Sequence, residues 1–174
     1  MRLDIEKVAP GFYGAVAHLD RAATKELDAA SIDPKMRELI RIRASQLNGC
    51  AYCVDMHTKD ARAIGETEQR IYALPVWRET PFFSSRERAA LAFTEQVTRA
   101  DVPDEAYAAV AKEFSEREVA ALLSLIVTIN AWNALGFTTR AWEPGSYQPL
   151  GVQSPVNRTD ASWKLPLADC ARLR

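Results

Sequence analysis

Two cysteines and a histidine fall within ten positions, NGCAYCVDMH at 48–57, in a chain with only one further cysteine, Cys170, and one further histidine, His18. Residues three, four and seven apart share one face of an α-helix. Cys50, Cys53 and His57 stand at i, i+3 and i+7, so a helix here puts all three on one stripe. Cα atoms three apart on a helix lie roughly 5 Å from each other, a span that a disulfide bridges. A free thiol has a pKa near 8.5 and is only a few per cent thiolate at neutral pH. Lowering that value by two units takes about 2.7 kcal/mol, of which a helix start at Cys50 supplies roughly a third. His57, one turn beyond Cys53, is the candidate for the remainder, as proton acceptor or cationic neighbour. Glu38 lies twelve residues before Cys50. In a helical hairpin it would stand too far back for Cys50 but near His57, where a carboxylate orients an imidazole and raises its basicity. Glu38, His57, Cys53 and Cys50 then read as a proton relay ending on a dithiol.

The elements that must hold this relay are helices. Apolar residues recur at helical spacing over 14–30, around Val16, Leu19, Ala23 and Leu27. Asp33 followed by Pro34 marks a helix start, and Asn48-Gly49 marks its left-handed stop. A second helix runs from Cys50 to Gly65 and a short one from Thr67 to about Leu74, where Pro75 breaks it. Ser84 or Ser85 ahead of Glu87 opens a helix over 84–100, and a short one follows from Pro103 to about Phe114. Ser115 facing Glu118 is a capping box, and it opens the longest and most apolar helix. No stretch alternates strictly with period two, so the fold class is all-α, with six to eight helices over 1–142. From Glu143 the chain turns rich in Pro, Gly, Ser and Asn and reads as an extended tail, 143–174. It carries Tyr147, Leu150, Val152, Trp163, Leu165 and Leu167, which is more apolar surface than a disordered tail holds. It is expected to pack on its own domain or on a neighbouring subunit, the alternative being a loosely ordered terminus.

Composition narrows the function classes. The 174 residues fit one domain, 48% apolar and 26% charged, with formal net charge -1. No basic stripe suggests nucleic acid. The longest apolar run, 119–129, is about half of the roughly 20 residues that span a bilayer, so no membrane is expected. The start, MRLDIEKVAPGF, is charged and shows no secretory signal. A cytoplasmic setting follows, where a close cysteine pair is more often catalytic or metal-binding than structural.

The spacing E-x11-C-x-x-C-x-x-x-H, read at Glu38, Cys50, Cys53 and His57, resembles the alkylhydroperoxidase D-like proteins of the carboxymuconolactone decarboxylase superfamily. The resemblance covers roughly residues 10–140, including RELIRIRASQLNGCAYCVDMHTKDARAIG and EVAALLSLIVTINAWNALGFTTR. It implies an AhpD-like helical fold assembling as dimers, trimers or hexamers. It also implies thiol-dependent reduction of alkyl hydroperoxides, with no cofactor beyond the cysteine pair and an external dithiol or protein as reductant. Some relatives carry a second histidine between the cysteines, where this chain has Tyr52. The decarboxylase branch lacks the paired cysteines.

The helix terminus favours Cys50 as the attacking thiol, whereas His57 and the resemblance favour Cys53. Cys53 is taken as peroxidatic and Cys50 as resolving. Ile42, Tyr52 and Met56 are expected to shape the substrate pocket, their bulk suiting organic hydroperoxides. Two other readings compete. Cys50, Cys53, His57 and Glu38 could hold zinc, although the spacing on one helix is cramped for a tetrahedron and no second ligand pair exists. The cysteines could also be small buried residues of a non-catalytic helical oligomerisation module. His18 reads as a helix-surface or hydrogen-bonded core residue, Cys170 as inert, and Asn130, Trp132 and Asn133 as interface or core hydrogen-bonders, with lining of the active pocket as the alternative.

Overall fold

The helix starts that the sequence marks are capped by the residues that mark them. Asp33 accepts a hydrogen bond from the Met36 amide at 3.1 Å, and Pro34 opens the helix Pro34–Asn48. That helix ends at Gly49, whose φ of 68° is left-handed and favours glycine. Reciprocal capping boxes, Ser84 with Glu87 and Ser115 with Glu118, open two others.

The computed structural model describes residues 2–149, with no strand among the described residues. In chain order the helices are α1 (Ile5–Val8), α2 (Pro10–Ala29), α3 (Pro34–Asn48), α4 (Ala51–Ala63), α5 (Glu68–Ala73), α6 (Ser85–Thr98), α7 (Asp104–Glu113) and α8 (Glu116–Thr139). A 3₁₀ segment, Leu74–Glu79, follows α5 directly. Pro75 ends the α-helix as expected but sits in the first turn of that segment, where its missing N–H costs nothing. α2 begins at Pro10, ahead of the periodic stretch, because proline at the first helical position is already set for helix.

α8 is the spine. By length and composition alone it could cross a bilayer, with a mean hydropathy of 1.7. Its packing accounts for that apolarity, since 56% of the stretch is buried against the other helices. Leu122, Leu125 and Ile126 pack with Ile40 of α3, Phe93 of α6 and Val110 of α7. Further along, Ile129 and Trp132 meet Tyr13, Val16 and Ala17 of α2 and Ala44 of α3. A third cluster joins Leu39, Ile42 and Ala61 to Leu74, Trp77 and Phe83. Glu95, almost fully buried, is satisfied by Arg43 Nε at 2.7 Å, Trp77 Nε1 at 2.9 Å and Arg78 Nη1 at 2.7 Å. A buried carboxylate with that many donors ties α3, the 3₁₀ segment and α6 together.

Past α8 the chain reverses at Arg140 and residues 141–149 run back over α4. Gly145 donates its amide to Asp55 at 2.9 Å, Lys59 Nζ donates to the Tyr147 carbonyl at 3.0 Å, and the Tyr147 hydroxyl donates to Asp60 at 2.6 Å. The described part of the tail therefore packs on its own domain. Leu150, Val152, Trp163, Leu165, Leu167 and Cys170 lie outside the described residues.

Candidate active site

The α3–α4 hairpin assembles the four residues of the relay. Cys50 is the N-cap of α4, its amide bonded to the Ser45 carbonyl at 3.0 Å. Cys53 stands one turn on, and the two are closed as a disulfide with Cα atoms 5.3 Å apart. Both sulfurs lie against bare backbone: a Cβ built on Gly136 of α8 would meet Cys50 Sγ at 2.8 Å and Cys53 Sγ at 3.4 Å. The turn before Cys50 is tied to the same helix, because Asn48 Nδ2 donates to Asn130 Oδ1 at 2.7 Å and to Asn133 Oδ1 at 3.0 Å. Asn133 in turn donates to Ser45 Oγ at 3.0 Å. These asparagines interrupt an apolar helix in order to fix the cysteine turn.

His57 Nδ1 lies 2.9 Å from Glu38 Oε2, and both side chains are buried. The other carboxylate oxygen of Glu38 is paired with Arg41. Burial pushes the Glu38 carboxyl up, but the Arg41 guanidinium and the His57 hydrogen bond outweigh it and hold the pKa at about 2. Glu38 is thus an ionised acceptor, so Nδ1 must carry the proton in this bond. In the neutral ring Nε2 is then the basic nitrogen, the tautomer a general base needs. Asp60 Oδ2 lies 4.0 Å from the same Nδ1. Burial, then the nearby Glu38 charge, pushes the Asp60 carboxyl up against the opposing Tyr147 hydrogen bond.

A cleft of about 310 Å³ reaches Cys53 and His57. Tyr52 and Met56 line it, together with Arg41, Asp60, Trp132 and Tyr147. Ile42 does not, which corrects the expectation placed on it. It is fully buried in the cluster with Leu39, Leu74 and Trp77, because successive helical residues turn by about 100° and it is Arg41 that faces the cleft. A smaller cleft, lined by Gly49, Gly136, Phe137, Trp142 and Pro144, reaches Cys50. Trp142 and Tyr52 stand between the two, their ring centroids 5.6 Å apart. Burial, Asp55 and Asp60 push the Tyr52 phenol up to about 12, so it stays a proton donor.

The four residues weighed as zinc ligands are not a set of free donors here, since both thiols are spent on the disulfide. Among the described residues, ligand atoms of Glu38, His57 and Asp60 come within 4.8 Å of one another, but Arg41 already neutralises Glu38. His18 is on the exposed side of α2. Arg41, Asp60, Trp142 and Gly136 were not singled out from the sequence, and Tyr147 only as an apolar residue of the tail. Two of them left a trace: Arg41 follows Glu38, and Asp60 follows His57, by the three residues that share a helix face.

The site is thus a cysteine pair, closed as a disulfide, beside a buried imidazole–carboxylate pair on an all-helical frame. The carboxymuconolactone decarboxylase family model matches residues 10–96, half of the chain, and the chain belongs to that family. The uncharacterised Bacillus subtilis protein YdfG is 50% identical over 109 residues, which are 61% of this chain and 74% of YdfG. The uncharacterised YnjA of Escherichia coli is 30% identical over 103 residues, 58% of this chain and 57% of YnjA. Among solved structures, an Agrobacterium tumefaciens protein of unknown function, named after the antioxidant defence protein AhpD, superposes with a TM-score of 0.74 at 35% identity. The match covers 82% of this chain and 97% of that one, so the AhpD-like helical fold is shared.

Proposed function

We propose that this protein is a thiol peroxidase that reduces alkyl hydroperoxides through a Cys50–Cys53 dithiol/disulfide cycle. In the reduced protein His57 Nε2 takes the Cys53 proton, while ionised Glu38 steadies the ring through Nδ1. The Cys53 thiolate attacks the terminal oxygen of ROOH, the O–O bond breaks, and the alkoxide leaves as ROH with the proton returned from His57. Cys53 is then a sulfenic acid. The Cys50 thiol attacks it, water leaves, and the disulfide forms. An external dithiol, small or carried by a protein, gives up two electrons and two protons to restore both thiols. The cycle needs no metal or organic cofactor. Assembly with further copies of the chain and a cytoplasmic setting belong to the same proposal.

The observation that carries this reading is the convergence on one cleft of Cys53 and an imidazole whose far nitrogen rests on an ionised carboxylate. The family and the antioxidant name of the Agrobacterium relative support it. The test is a thiol titration of reduced protein before and after one equivalent of cumene hydroperoxide. Two thiols should vanish, a dithiol should restore them, and Cys50→Ser should instead trap a sulfenic acid on Cys53. Undiminished turnover by Cys53→Ser would overturn the assignment, and stoichiometric zinc in the purified protein would replace it with the metal-binding alternative.

A further inference from the structure

The chemical residues and part of the cleft wall come from different parts of the chain. Glu38, Cys53 and His57 lie within the family match, while Thr128, Ile129, Trp132, Trp142 and Tyr147 lie beyond it. Three rings make a continuous face on that wall. Trp132 and Trp142 meet edge to face with centroids 6.1 Å apart, and Trp142 leans on Tyr52. Such a face binds another ring by area and by ring–ring geometry together. Carboxylates outnumber guanidinium groups in and beside the cleft. Asp20 of α2 lines it beside Asp60, and the guanidinium there, Arg41, is already paired with Glu38. Asp20 and Asp60 face the cleft, and the one guanidinium there is matched by Glu38 behind it. Asp20 is held in place by Trp132 Nε1, which donates to Oδ2 at 3.3 Å.

We infer that this cleft selects uncharged, ring-bearing hydroperoxides and rejects those that would bring a carboxylate into it, such as ring-carboxylated analogues of the same size, with Asp20 as the specificity-determining residue. The word hydroperoxide rests on the peroxidase reading; the preference for a neutral ring does not. A carboxylate entering the cleft would lose its hydration and find no unpaired cation, with Asp20 and Asp60 opposing it. A neutral ligand meets no such opposition and can lie against the Tyr52, Trp142 and Trp132 rings.

The test separates binding from catalysis. Quenching of tryptophan fluorescence in the oxidised protein reports binding of three probes: cumyl alcohol, its carboxylate analogue α,α-dimethylphenylacetate, and tert-butanol, which has no ring. Cumyl alcohol should bind at least about tenfold more tightly than either of the others near neutral pH. Asp20→Asn, which keeps an acceptor for Trp132, should shrink the alcohol-to-carboxylate ratio at least threefold or so. In turnover, the same substitution should narrow the gap in kcat/KM between cumene hydroperoxide and its ring carboxylate, 4-(2-hydroperoxypropan-2-yl)benzoate. Equal binding of alcohol and carboxylate, equal binding of tert-butanol, or an unchanged ratio in Asp20→Asn would each overturn the inference. Absence of any peroxide turnover would refute the peroxidase reading instead, while the probe order would still decide the preference of the cleft.

Discussion

Replacing Glu38 by glutamine tests the electrostatics on which the relay depends. The carboxyl falls from its ordinary 4.5 to about 2 in the folded protein, against the effect of its own burial, because Arg41 and His57 favour the anion. At 1.36 kcal/mol per pH unit that difference is worth about 3 kcal/mol of native stability. A carboxyl held below its unfolded value stabilises the native state above that value, and the contribution is lost as pH falls through the folded one. The window is therefore about 4.5 down to about 2, with about 2 kcal/mol already gone by pH 3. Glu38→Gln leaves a largely buried Arg41 without its partner, and the cost of about 3 to 5 kcal/mol for breaking a buried pair is the same interaction seen from the cation, not an addition to it. Urea unfolding of oxidised wild type and variant, at neutral pH and at pH 3, isolates the effect because the other acids cancel in the difference. The variant should be less stable by about 3 kcal/mol at neutral pH and by only about 1 at pH 3. A gap that stays constant with pH, or no gap at neutral pH, would refute an ionised Glu38 between Arg41 and His57.

Gly136→Ala should destabilise the oxidised protein by about 1 to 3 kcal/mol, since its Cβ would press on both sulfurs. A thermal melt equal to that of wild type would mean that the disulfide does not rest on the α8 backbone. Tyr147→Phe removes the donor to Asp60 and should cost about 1 kcal/mol in urea unfolding. It should also move the Asp60 carboxyl titration upward by NMR, because the lost hydrogen bond was the influence holding it down. No movement would place Tyr147 outside the environment of Asp60.

Local rules exposed much of this architecture. Asp33-Pro34, Asn48-Gly49 and the two Ser–Glu boxes act through neighbours a few residues away, so the hairpin and the meeting of Glu38 with His57 follow from short-range chemistry. The cleft wall does not. Trp132, Trp142 and Tyr147 reach Tyr52 and Asp60 only after α8 has packed across α2 and α3 and the chain has doubled back. No spacing encodes that. Ile42 shows the limit from the other side: α3 is buried on more than one flank, so an apolar residue near the relay has two cores to choose from, and Ile42 enters the one with Leu74 and Trp77. Arg41, polar and easily read as surface, took the place facing the cleft.

Glu38 and His57 are nineteen positions apart, whereas Gly136 belongs to the closing part of the described chain. During synthesis the hairpin emerges from the ribosome long before the helix that shelters its sulfurs, and at 5 to 20 residues per second that interval lasts several seconds. Throughout it the young thiols stand open to oxidants and to stray disulfides. Until α8 arrives, nothing in the folded part of the chain covers them.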